Sequence, residues 1–258
     1  MVKRRLVIGD IHGSHKGLIQ VLERSNFNNE KDQLIQLGDI CDGWPEVYQC
    51  VEELLKIKDL IAIRGNHDDL FRKWLIDDIH PFGWRQKGIG TLKSYSEQVD
   101  CTYSNSYKGY RTTLTPEKVP VEHYNFFMST QKLYHIDNNV LFVHGGFNRH
   151  FPLQYTLDKD AEILYWDRDL WFSALSYKAM NNEEYSFKIK DEFKEIFIGH
   201  TPTINWSDKD NNPITTPMHA GVVWNLDTGA KYAGGKVTIM DIDTKEYWQS
   251  DFSKDLYK

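Results

Sequence analysis

Cysteine is scarce in this chain: Cys41, Cys50 and Cys101 are the only three in 258 residues, with none at CxxC spacing and one left over. That argues against a disulfide framework and fits a reducing cytoplasm. Long apolar runs are missing as well. After the charged start Met1-Val2-Lys3-Arg4-Arg5, only Leu6, Val7 and Ile8 precede Gly9, well short of the roughly 7–15 apolar residues an export segment needs. No stretch approaches the ~20 residues of a membrane span. Net positive charge is absent too. A formal charge of −6 argues against a general grip on nucleic acid, which takes many phosphate contacts from a basic face. It leaves room for a local cationic pocket around one phosphate. There is no internal repeat and no low-complexity segment.

What is present is a series of short polar strings. Gly9-Asp10-Ile11-His12-Gly13, Gly38-Asp39-Ile40-Cys41-Asp42 and Gly65-Asn66-His67-Asp68 follow in order, separated by 24 and then 22 residues. Each ends a run of leucine and β-branched residues. One such string alone recurs by accident. Three at near-equal spacing, followed by isolated histidine motifs at His144 and His200, make a common function the simpler reading. Asp, Asn and His offer the oxygen and imidazole donors that hold divalent metals.

The front half alternates strand and helix. Leu6–Gly9, Leu34–Leu37 and Leu60–Ile63 read as buried strands. Leu18, Val21, Leu22 and Ser25 mark one helix face, and Val47, Val51, Leu54 and Leu55 another, with Pro45 in its first turn. This β-α-β-α-β order predicts parallel strands with covered faces. Each polar string then falls just past the carboxyl end of its strand, where open α/β sheets place their sites. We expect one domain over 1–258, with a mainly helical, aromatic-rich insertion at about 69–139 whose aromatics form a local core in preference to a base-stacking surface. A hairpin through Asn138-Asn139 should return the chain to a sheet. A helical stretch from about Asp160 to Tyr185, a strand at Ile196–Ile198 and antiparallel strands at Val222–Asp227 and Lys236–Asp241 should complete the fold. The expected class is α/β: a central mixed sheet or two-sheet sandwich flanked by helices.

These residue types suit two-metal hydrolysis. Ions about 3.5–4 Å apart, sharing one carboxylate, can bring the pKa of water from about 15.7 toward about 7, which provides a nucleophile at neutral pH. Asp39, from the middle of the three strands, is the natural shared carboxylate.

The strings resemble those of the calcineurin-like metallophosphoesterases, in the phosphoprotein-phosphatase branch that holds bacterial and phage serine/threonine phosphatases and symmetrical diadenosine tetraphosphate hydrolases. The family pattern GDxHG…GDxxDRG…GNH(D/E)…HGG…GHTP is met at Gly9–Gly13, Gly38–Asp42, Gly65–Asp68, His144-Gly145-Gly146 and Gly199–Pro202, with a late Asp227-Thr228-Gly229. The resemblance implies a dimetal phosphoester hydrolase, most like a serine/threonine phosphatase, that attacks phosphorus without a covalent phosphoenzyme. Its alternatives are a nucleotide or diadenosine polyphosphate hydrolase and, from another class, a non-catalytic metal-binding scaffold. By motif, Asp10, His12 and Asp39 would hold one ion, and Asp39, Asn66, His144 and His200 the other; Mn²⁺ is the working choice, with Fe or Zn²⁺ as substitutes. His67 would protonate the leaving oxygen, oriented by Asp42. Where the family has arginine after the second aspartate, this chain has Gly43-Trp44-Pro45. The Trp166-Asp167-Arg168 string resembles a bacterial WxR element, so Arg168 would contact phosphate, with Arg64 and Arg149 as possible substitutes for the missing arginine. The partner is a phosphorylated protein or nucleotide. His15, His80, His123, His135, His150 and His219 are expected to be surface or internally satisfied histidines, and Cys41 a small apolar filler.

Overall fold

A computed structural model describes residues 3–81, 84, 89–106, 109–180 and 187–258. Strands β1 (Arg5–Ile8), β2 (Gln33–Gln36) and β3 (Leu60–Ala62) run parallel, joined by helices α1 (His15–Arg24) and α2 (Val47–Leu55). Pro45 precedes the N-cap residue Glu46 and so lies just outside α2, not in its first turn. After β3, α3 (Asn66–Asp77) begins at once, followed by α4 (Ile89–Gln98), the hairpin β4 (Tyr103–Ser106) and β5 (Gly109–Thr112), and α5 (Val121–Asn125), which continues as one π-helical turn. The next hairpin is β6 (Tyr134–Asp137) and β7 (Val140–Val143). Short helices α6 (Leu153–Lys159) and α7 (Ile163–Trp166) precede α8 (Asp169–Met180), and then come β8 (Glu195–Ile198), β9 (Met218–Ala220), β10 (Val223–Asn225), β11 (Thr238–Asp241), β12 (Tyr247–Gln249) and α9 (Ser253–Leu256). The expected helical stretch from about Asp160 to Tyr185 breaks at Asp167-Arg168, and its last residues, 181–185, lie outside the described residues.

Two five-stranded mixed sheets result, in the orders β12-β11-β1-β2-β3 and β6-β7-β8-β10-β9. The expected closing strands do not pair with each other: β10 lies parallel to β8 in the second sheet, while β11 lies antiparallel to β1 in the first. Alternation explains the layering. Leu6 and Ile8 face the helices covering the first sheet, while Val7 packs with Ile35, Phe142 and Phe197 between the sheets. Leu141, Val143, Ile196 and Ile198 face outward onto Leu170, Trp171 and Ala174 of α8. Both faces of each central strand are buried, so these strands read as continuous apolar runs. The result is a helix–sheet–sheet–helix α/β architecture.

The aromatics of 69–139 join the first sheet's core: Phe71, Trp74, Trp84, Tyr95, Phe126 and Phe127 are buried there. Cys41 is buried as a filler with its thiol pKa pushed up by burial, and all three cysteines are free. His123 is buried and hydrogen-bonds to Tyr95 and Glu52. Among the described residues, no helix is long and apolar enough to cross a membrane.

Candidate metal centre

Six strand ends converge. Asp10 and His12 follow β1, Asp39 and Asp42 follow β2, Asn66 and His67 open α3 after β3, and His144, His200 and Asp227 follow β7, β8 and β10. The backbone turns hard at these points. His12, Asp39, Asp42 and His200 all hold left-handed φ values, between +48° and +69°. Such strain persists only where surroundings over-determine it, and it concentrates at functional sites. Two motif glycines are required by close approach: a Cβ on Gly65 would stand 2.1 Å from Asp39 Oδ1, and one on Gly199 2.1 Å from Asp10 Oδ1.

The histidine tautomers follow from their partners. His12 Nδ1–H donates to the Cys41 carbonyl (2.9 Å) and His144 Nδ1–H to the Leu37 carbonyl (2.7 Å). Carbonyl oxygens only accept, so in the neutral rings Nε2 carries a lone pair. Those lone pairs point at other acceptors. His12 Nε2 lies 3.6 Å from Asp39 Oδ2 and 3.7 Å from Asp10 Oδ2; His144 Nε2 lies 3.4 Å from the same Asp39 oxygen and 3.3 Å from the Asn66 amide oxygen. His200 Nε2 is buried with no hydrogen-bond partner among the described residues. Asp39 Oδ1 accepts the backbone N–H of His67 at the start of α3 (2.9 Å), which aims Oδ2 at the histidines. Acceptors facing acceptors in a buried pocket call for cations between them. Two overlapping groups could each hold an ion: Asp39, His144 and His200, and His12, Asp39 and His67, with ligand atoms in each group within 4.8 Å of one another.

The electrostatics agree. Burial pushes Asp10 well up, helped by the charges of Asp227 and Asp39; burial also pushes Asp227 up to about 6. Burial would raise Asp39 too, but His144, His67 and His12 hold it well below the usual carboxylate range. His200 is pushed down to about 2 by burial, then by the charges of His144 and Arg168. Burial lowers His144, yet Asp39 outweighs it and leaves that ring raised. A divalent ion between these groups would answer the buried carboxylate charge.

His67 stands apart from the lone-pair cluster. Its Nδ1–H donates to Asp42 Oδ2 (2.5 Å), and its Nε2 accepts from the Lys231 ammonium (3.0 Å). A lone pair already directed at an ammonium is poorly placed to ligate a metal, which favours an acid–base role over the second geometric grouping. Asp42 does not cap α2. Its carboxylate also accepts from Thr91 Oγ1 (2.7 Å) and Trp84 Nε1 (3.1 Å), both from the 69–139 segment. Asp68 braces the neighbouring loop by accepting the backbone N–H groups of Asp39, Ile40, Cys41 and Gly65 at 2.9–3.2 Å, together with Gln131 Nε2 at 2.8 Å.

The three arginines are scattered. Arg168 is exposed just before α8, near enough for its charge to act on His200 and Tyr232, and Trp166 meets the His200 ring edge-on at 6.2 Å. Arg149 is not brought to the centre. Its guanidinium donates to the Lys188 carbonyl and lies over the Phe187 ring, lining a cavity of about 940 Å³ with Trp166, Phe172 and Tyr177. Arg64 is half-buried beside Arg72, Asp69 and Tyr165. Asp68, Asp227, Lys231, Trp84 and Thr91 escaped the sequence reading of the site. Only Asp68 and Asp227 carried a signal, as members of the GNHD and DTG strings.

Comparison with known proteins identifies the family. The family profile described as calcineurin-like phosphoesterase matches residues 3–223. The symmetrical bis(5'-nucleosyl)-tetraphosphatase of Pseudomonas entomophila is 23% identical over 96% of this chain and 94% of that protein. Serine/threonine-protein phosphatase 1 of Salmonella typhimurium is 36% identical, but over only 25% of this chain and 29% of that protein. Among solved structures, the cold-active protein-tyrosine phosphatase of a Shewanella species superposes with a TM-score of 0.57 at 13% identity, covering 97% of this chain and 81% of that one.

Proposed function

Because the chain belongs to the calcineurin-like phosphoesterase family, and is accordingly an enzyme that hydrolyses phosphoric ester bonds, we propose that it is a two-metal hydrolase acting on dinucleoside polyphosphates. The observation that carries the metal reading is the set of histidine lone pairs turned toward Asp39 Oδ2 and Asn66 Oδ1. Asp10, His12 and Asp39 would hold one ion; Asp39, Asn66, His144 and His200 would hold the other. Carboxylate, amide and imidazole donors suit Mn²⁺, with Fe or Zn²⁺ as alternatives. When bound, such a pair supplies a water activated at neutral pH.

The chain's own groups do the rest. Asp42, fixed by Thr91 and Trp84, holds the His67 ring in one orientation, so that in the doubly protonated ring Nε2–H would face the departing oxygen and could pass it a proton. Arg168, at the rim by His200, binds a phosphate oxygen.

Three features favour a dinucleotide substrate. Similarity to the tetraphosphatase runs the length of the chain, whereas similarity to the Salmonella phosphatase is confined to a quarter of it. Gly43 stands where the family pattern has arginine, so the bidentate grip that an arginine there would give a terminal phosphate is missing. The aromatic-lined cavity shares Trp166 with the surroundings of His200, giving a bulky flanking group somewhere to stack. A phosphoprotein is the second reading, favoured by the local match to the Salmonella phosphatase.

The test is a parallel assay of the Mn²⁺-loaded protein on diadenosine tetraphosphate, an aryl phosphate and a phosphopeptide. The expected result is turnover of the tetraphosphate to nucleoside diphosphate as sole nucleotide product, at higher kcat/KM than the phosphopeptide. A thoroughly chelated protein that kept its rate would end the metal reading.

A further inference from the structure

We propose that Lys231 binds the departing phosphate on the His67 side of the centre, and that it selects phosphoanhydride leaving groups over alcohols; the inference rests on the dinucleotide reading above.

The argument begins at the position that lacks its arginine. Gly43 has φ +80°, and a Cβ there would stand 2.8 Å from the His12 carbonyl oxygen and 2.9 Å from His12 Cβ. This loop has no space for a side chain at that point. The next residue does something else instead: Trp44 Nε1 donates to the carbonyl oxygen of Ala230 (2.8 Å), the residue immediately before Lys231. Ser253 Oγ donates to the same oxygen (2.9 Å). The 227–236 loop is closed further by Gly229 N–H to Asp227 Oδ1, Tyr232 N–H to the Gly229 carbonyl and Lys236 N–H to the Thr228 carbonyl. The departure at Gly43-Trp44 and the delivery of Lys231 are thus one construction, and it sets the ammonium 3.0 Å from His67 Nε2. The charge also acts on His12 and Asp227, so it sits inside the mouth of the centre.

The chemistry explains why a cation belongs there. In P–O–P cleavage, the water oxygen forms the new bond to the attacked phosphorus and gives one proton to solvent. The bond to the bridging oxygen breaks, and its electron pair leaves with the second phosphate. That product is a stable anion needing no proton, and its extra negative charge develops beside His67. A fixed ammonium stabilises this charge in the transition state. An alcohol leaving group needs His67's proton and gains far less from the lysine.

The experiment uses the full-length, Mn²⁺-loaded enzyme and its Lys231→Met, Lys231→Gln and Lys231→Arg variants, with melting temperature and metal content recorded for each. Substrates are diadenosine tetraphosphate, inorganic triphosphate and an alkyl phosphate monoester, whose leaving alkoxide needs a proton. Lys231→Met and Lys231→Gln should lower kcat on both anhydrides by ~10–150-fold, the worth of one charge-assisted contact. Their loss on the alkyl phosphate should be at least ~5-fold smaller, and Lys231→Arg should recover most of the difference. Equal losses on all three substrates, or no recovery with arginine, would remove Lys231 from this role while leaving the dinucleotide reading intact. A wild-type enzyme that cleaves neither anhydride overturns both.

Discussion

The proposed metal ligands and the proposed substrate cations are built in opposite ways. Asp10, His12, Asp39, Asn66, His144 and His200 are all buried and sit within four residues of a strand end or helix start, and backbone groups aim His12, Asp39 and His144. Arg64, Arg149, Arg168 and Lys231 come from unrelated elements, and none is buried. The contrast follows from the physics of each task. A metal ligand must reach one point within tenths of an ångström, which demands rigid supports and hence recurrent local sequence. A cation acts over several ångströms, so any nearby loop can supply it.

The comparison breaks first at Asp39. If its Oδ2 is shared by both ions, Asp39→Asn should cost roughly 10⁴-fold or more in kcat, as when one member of a co-operating set is lost. The same variant should retain less metal than His12→Ala. A smaller loss than for His12→Ala, measured by kinetics and elemental analysis, would show that Asp39 is not shared. His67→Asn should come next, at ~10²–10⁴-fold with both metals retained. Its loss should shrink on substrates with good leaving groups; uniform losses would place His67 among the ligands after all. The arginines sharpen the other side. Arg168→Ala should cost ~10-fold or somewhat more in kcat/KM. Arg149→Ala, tied up with Lys188 and Phe187, should cost under ~3-fold, and a larger effect would mean that the cavity it lines holds substrate.

Much of this could be read from residues alone, for reasons the contrast makes plain. The three apolar runs ending in Gly-Asp or Gly-Asn disclosed parallel strands and four of the six buried candidate donors together, because strand, turn and ligand are contiguous. The tail could not be read so well. Alternation in Val222–Asp227 and Lys236–Asp241 marks strands but names no neighbour, and the two went to different sheets. Trp84 and Thr91 look like ordinary core and helix residues until Asp42 is seen between them. Arg149 beside the histidine motif looked useful, yet its direction is set by Phe187 and Lys188, about forty positions later.

Inserting β11 against β1 has a consequence for how the centre comes into being. β1 carries Asp10 and His12, but its neighbour on one side comes from the last tenth of the chain. His200 N–H reaches Asp10 across 190 positions, and Lys231 reaches His67 across 164. Contacts between such distant segments form slowly, because a long stretch of chain must be ordered before they repay its entropy. The β-α-β-α-β front can take shape from neighbouring strands and carries Asp10, His12, Asp39 and Asn66, whereas His144 and His200 arrive only with the second sheet. A front half folded alone would therefore offer a metal only a partial claw, and the tail adds no ligand but the strand that backs β1.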